Sequence, residues 1–422
     1  MTTRRTVLRL AGAVPAAALL AACRPDGPDD ATRADIRPAD LLLVATASGL
    51  ALIDARDARV VAGPRHGIAA WDGSAIVADE HRTASTQIEV RGRTGALSYG
   101  VAMPGSLGAR VVSPGGAAVA LTSGSAEADT PFRPTGRNTT TIVIAGSGGE
   151  RTRLTLPGCV EPEAFGTADQ LLYVLDYLPP TKPDRYRVRL VDLATGQMQP
   201  LFTRDKKVIP PGAEEEMRGQ GRQAVYASGH HLLFTLYTHQ PDHQHTRDLL
   251  NSGARADAPH VHAFVHTLAL DGQFAYCIDL PAPFGEGPAE GHAIALSRYG
   301  VNPIVVDAAS GTVAQIDGTA LTVSRTATFP NGGSPVAAAI SPDDRTAYIG
   351  AGEAIHVLRS GVLTTVAQWR IPASVQGLAV SEDGSRLWVG QPDRALALDT
   401  ASGREVDTVA IPGLTSMRHA GQ

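Results

Sequence analysis

From residue 41 to the C-terminus, short apolar runs alternate with clusters of Gly, Pro, Asp and Ser, and no segment keeps a long helical period. Many such runs, bounded by turn residues at regular spacing, predict an all-β protein. Two columns recur. The first is a tight turn between two apolar strands: Trp71-Asp72-Gly73, Ser113-Pro114-Gly115-Gly116, Gly166-Thr167-Ala168-Asp169, Ala227-Ser228-Gly229, Ser297-Arg298-Tyr299-Gly300, Ser341-Pro342-Asp343-Asp344 and Ser381-Glu382-Asp383-Gly384. Asp and Gly suit this turn, because hairpins need positive φ and side chains that bond their own backbone. The second column closes a later strand: Ile53-Asp54, Val191-Asp192, Leu270-Asp271, Ile316-Asp317, Leu358-Arg359 and Leu398-Asp399. From Asp317 to Arg359 to Asp399 the interval is about 40 residues, the length of one propeller blade.

The clearest unit is 335–373: a small-residue strand at 336–340 suited to a crowded axis, two further strands at 347–350 and 354–358, and an outer strand at 366–371. Residues 376–412 repeat the order. Seven turns mark units that own a first strand, and 41–66 adds three strands with none before them. The tail around 413–419 is expected to supply the missing strand, which joins both chain ends in one blade and leaves no open edge. The strand count then predicts eight four-stranded blades.

Ser341-Pro342-Asp343-Asp344-Arg345-Thr346-Ala347-Tyr348-Ile349 resembles the repeat segment of bacterial YVTN-type β-propellers, which are WD40-like. Residues 304–317 resemble the next two strands of that repeat. The resemblance is close over 291–413 and loose over 41–290. It implies a β-propeller, with seven blades as the rival count, and says little about function, since propellers host many functions.

The N-terminus reads as targeting rather than fold. Arg4 and Arg5 precede a weakly apolar stretch, as in twin-arginine export signals. The stretch ends at Ala22 and is shorter than the roughly 20 residues of a spanning helix. Leu20-Ala21-Ala22-Cys23 resembles a bacterial lipobox, which implies cleavage before Cys23 and a lipid on its thiol. The expected organisation is a signal peptide over 1–22, a lipidated flexible tether over 23–40, and a propeller over 41–422. The expected location is the outer face of the cytoplasmic membrane.

A net charge of −5 with no basic run argues against nucleic acid as a partner. Beyond Cys23 the cysteines are Cys159 and Cys277. Outside the cell they either pair as a disulfide or stay as separate buried thiols.

Two units are longer than the repeat needs, at 178–184 and at about 238–260, and long propeller loops usually gather on a binding face. The second holds His239, His243, His245, His260 and His262, with His230, His231 and His266 flanking. Imidazoles interspersed with Asp242, Asp248 and Asp257 suit a divalent zinc or copper ion. An ordinary polar surface loop has the same composition, and 238–262 is expected to be exposed and dispensable for folding. His266 lies in an apolar run and reads as a buried core histidine. Glu290 and His292 enter a first strand at the expected channel mouth and would serve as a base and its partner. Glu214-Glu215-Glu216 reads as a solvated loop, and Trp71, Trp369 and Trp388 as packing within strands. No nucleophile elbow, P-loop or dinucleotide motif is present.

Three functions follow. The first is a non-catalytic module that binds a protein, peptide or glycan. The second is a metal-assisted lyase or lactone hydrolase using Glu290 and His292. The third is a metal-binding protein using the histidine loop.

Overall fold

The computed structural model describes residues 40–123, 134–219, 222–240, 243–251, 263–330 and 332–421. Arg4, Arg5, Cys23, His260 and His262 lie outside the described residues. The strands form eight four-stranded antiparallel sheets arranged as the blades of a β-propeller. Seven blades use consecutive strands. The remaining one, blade 1, places Leu414–Gly421 beside Leu41–Thr46, followed by Gly49–Asp54 and Arg59–Arg65. The tail therefore completes the first blade, and the count is eight rather than the seven of the resemblance.

The repeated turn explains why each unit folds alike. In Ser341-Pro342-Asp343-Asp344, Ser341 Oγ donates to Asp343 (2.6 Å) and accepts from the Thr346 amide (2.9 Å). Ser381, Asp383 and Arg386 make the same pair of bonds. The next residue takes positive φ in both turns, Asp344 at 62° and Gly384 at 73°. Such turns favour Asn, Asp and Gly there because other side chains are strained.

Each of the eight blade interfaces has its own apolar cluster. That between blades 4 and 5 gathers Tyr173, Tyr177, Tyr186, Tyr237 and Phe264, all nearly inaccessible to solvent. That between blades 8 and 1 centres on Trp388, with Leu42, Val44, Leu414 and Met417. First strands of successive blades lie side by side around the axis. Trp369 and Trp388 sit in strands as expected, but Trp71 does not. It occupies the first hairpin turn of blade 2, partly exposed, and its Nε1 donates to the Glu163 carbonyl of blade 4 at 3.1 Å.

Candidate metal centre

Blade 5 comprises Gln223–Ala227, Leu232–Tyr237, Phe264–Ala269 and Phe274–Asp279. The histidine insertion interrupts it between the second and third strands. Its described part is not the exposed, dispensable loop that composition implies. The Gln240 amide brackets the Arg218 backbone, accepting from its N–H (3.0 Å) and donating to its carbonyl (2.7 Å). A short helix, Thr246–Leu250, lays Leu249 on the blade 4–5 cluster. Arg247 ties the helix to the outer strand, donating to the Cys277 carbonyl (2.5 Å) and to Asp279 (2.6 Å).

The glutamate run reaches this place from the other side. Tyr186 and Met217 exchange both backbone hydrogen bonds, so the segment before blade 5 pairs with the edge of blade 4. Successive side chains along paired extended backbone alternate in direction. Glu214 meets Arg187 (3.0 Å) and Arg189 (2.8 Å), and Glu216 meets Arg185 (2.5 Å). Glu215 turns inward and is buried, so the solvated reading fails at its central residue.

Glu215, His243, His245 and Cys277 bring one donor atom each to within 4.8 Å of all the others. Glu215 Oε2 lies 3.2 Å from Cys277 Sγ, 3.5 Å from His245 Nδ1 and 3.7 Å from His243 Nε2, and the two imidazole nitrogens are 3.0 Å apart. The side chains of His243 and His245 are only 1% and 3% exposed. Both rings are fixed from behind. His243 Nδ1 donates to the Glu216 carbonyl (3.0 Å), and His245 Nε2 donates to Asp279 (2.7 Å), which Arg247 also holds. Phe264 stacks on His243 at 4.3 Å between centroids. Such outer bonds set the tautomer and aim the free nitrogen at a metal.

The protonation pattern without an ion follows from this geometry. With Nδ1 of His243 donating outward, its Nε2 is an acceptor, and the proton between the rings sits on His245 Nδ1. His245 then donates from both nitrogens. Burial opposes that charge, but Asp279 and Glu215 outweigh it and raise the imidazole above its usual pKa. Burial pushes the Cys277 thiol well up, with Glu215 adding to the shift. Burial also acts to raise Glu215, yet the neighbouring imidazoles of His243 and His245 hold it well below the ordinary carboxyl range. The cluster thus keeps two protons, one between the rings and one on sulfur, where a cation would sit.

His266 stands directly behind. It pairs across the strands with Cys277 and is 2% exposed. Its Nε2 makes no hydrogen bond and lies 3.5 Å from Glu215 Oε1. Burial, opposed by Glu215, pushes its pKa down to about 4. It is buried, as its apolar context implies, but not satisfied.

Of the loop histidines, His243 and His245 converge and His239 does not. His239 Nε2 contacts the Gly287 carbonyl (2.8 Å) and Nδ1 contacts Thr238 Oγ1 (2.7 Å). The Glu290–His292 pair is not formed. Glu290 is exposed, while His292 is buried with Nδ1 donating to Pro288 (2.9 Å) and Nε2 accepting from the Gly285 amide (3.1 Å). Both nitrogens brace the loop, leaving neither for Glu290. Cys159 and Cys277 are separate buried thiols rather than a disulfide, Cys159 facing the Thr135 carbonyl at 3.7 Å.

No family model and no curated protein matches this chain. Among solved structures it is similar to apo AztD from Citrobacter koseri, at 12% identity and TM-score 0.52, covering 91% of this chain and 97% of that one. A second crystal structure of Citrobacter koseri AztD gives 12% identity and TM-score 0.51, covering 90% and 96%. The likeness is one of fold alone: this chain is a β-propeller.

Proposed function

We propose that this chain is an exported, lipid-anchored β-propeller that binds one zinc ion through Glu215, His243, His245 and Cys277. One observation carries the metal reading. Zinc bonds of about 2.0–2.3 Å at a tetrahedral angle place neighbouring donors about 3.3–3.6 Å apart. Four of the six donor pairs lie 3.0 to 3.7 Å apart, and all six lie within 4.8 Å. A buried set of one thiol, two imidazoles and one carboxylate, each imidazole braced from behind, suits zinc. Copper is the competitor that imidazole and thiolate also admit. The anchor at Cys23 and the export signal at Arg4 and Arg5 are supported by the order of the two N-terminal signals.

The test is metal analysis of protein purified without an affinity tag. About one equivalent of zinc is expected, and Cys277→Ala together with His245→Ala should remove it. Absence of bound zinc after equilibration with the ion, or retention by the double variant, overturns the reading. Fractionation tests the anchor: Cys23→Ser should move the protein out of the membrane fraction.

A further inference from the structure

Beside the candidate metal cluster opens a pocket of 280 Å³, and His243 belongs to both. Arg185, Glu214, Glu216, Arg218 and Gln240 complete the wall that matters here. Its charges are almost all spoken for. Glu214 is held by Arg187 and Arg189, which also meet Asp176, and Glu216 by Arg185, which also meets Asp184. The exception is Arg218. Its side chain is exposed and makes no hydrogen bond or ion pair among the described residues, while Gln240 fixes its backbone on both sides. An arginine held by its backbone and left without an anion is suited to a carboxylate, which its planar fork matches with two bonds.

The same pairing argues against the pocket as a route for a bare dication, because both of its carboxylates are already held by arginines. The volume lies just below the roughly 300–1,000 Å³ of pockets for drug-sized ligands. We propose that this pocket binds a small polycarboxylate of citrate size, and that zinc reaches the cluster as such an anionic complex. The second half rests on the zinc reading above; the first does not. An occupant here lies against His243, a member of the candidate metal cluster.

Citrate is the probe, titrated calorimetrically into the metal-free full chain. One-to-one binding is expected. Arg218→Glu should weaken it at least tenfold, and Arg218→Lys should keep part of it. Leu249→Trp, which fills the pocket, should abolish it. No binding by the parent, or equal binding by Arg218→Glu, overturns the pocket. The two readings fail separately. Arg218-dependent citrate binding in a chain that takes no zinc leaves the pocket standing and removes the delivery role. Zinc binding without citrate binding does the reverse.

Discussion

Asp40 Oδ2 accepts a hydrogen bond from Trp388 Nε1 at 2.9 Å across 348 positions of sequence. Arg386 Nη1 lies 3.1 Å from the same oxygen, and the Ala55 amide donates to the Asp40 carbonyl (2.9 Å). The residue expected to end a flexible tether is instead a buried clamp joining the start of blade 1 to blade 8.

Asp40→Ala leaves the indole N–H and a guanidinium group without their partner in a buried place. Such a loss costs about 1–3 kcal/mol. The expected outcome is a melting temperature lower by a few degrees, read by calorimetry. An unchanged melting temperature would mean the clamp adds nothing to stability.

Deleting 414–422 should do far more. It strips Leu414, Met417 and Ala420 from the blade 8–1 cluster and bares the edge of Leu41–Thr46. Exposed strand edges template association. Gel filtration and circular dichroism should show aggregation or a non-cooperative transition; a monomer that melts like the parent would refute closure by the tail.

Asp279→Asn probes the support behind the metal rather than its ligands. Removing the partner of a ligating histidine typically costs about 10–100-fold in metal affinity. Competition with a chromophoric chelator should show a zinc Kd raised by that factor and an unchanged stoichiometry. A Kd equal to the parent's would show that His245 is oriented by something else.

Zinc affinity should rise steeply with pH. Binding expels the imidazolium proton of His245 and the thiol proton of Cys277, both held above their usual pKa values. Each displaced proton makes affinity rise about tenfold per pH unit while the free protein still carries it. The slope should therefore approach about 100-fold per unit below the raised pKa of His245 and fall toward tenfold above it. Proton release measured in weak buffer checks the stoichiometry, and an affinity flat between about pH 6 and pH 8 would contradict the assigned protonation.

His266 governs stability of the metal-free form in acid. Its folded pKa of about 4 lies below the ordinary 6.5 of an imidazole, so the unfolded chain binds the extra proton first. Stability from this residue is present above 6.5 and is lost as pH falls toward 4. His266→Gln should flatten that part of the stability profile, measured by urea unfolding at several pH values. An unaltered profile would assign the acid sensitivity to other groups.

The fold was legible because its turns repeat: the Ser-Pro-Asp-Asp and Ser-Glu-Asp-Gly segments announce themselves, and three strands lacking a first one call for the tail. Part of the site was legible too. A hairpin turn at Leu270-Asp271-Gly272-Gln273 pairs Ala269 with Phe274 and so sets His266 opposite Cys277. Composition flagged His243 and His245 but could not separate them from His239, whose ring goes to another loop. Glu215 was hidden. Its inward turn depends on the Tyr186–Met217 pairing, a contact between blade 4 and an irregular segment that leaves no period in the sequence. The arginines that neutralise Glu214 and Glu216 come from blade 4, so a run of three identical acids divides into one buried member of the candidate metal cluster and two pocket walls.

Closure by the tail also bears on synthesis. The strand that seals blade 1 is made after all seven other blades, so until then the ring has one open seam, with Leu41–Thr46 waiting for a partner. A product cut short by a damaged message cannot seal at all, however well its other blades form. The ring is thus closed only in a chain that carries both sides of this seam, and a chain without residues 414–421 keeps the edge of Leu41–Thr46 unpaired.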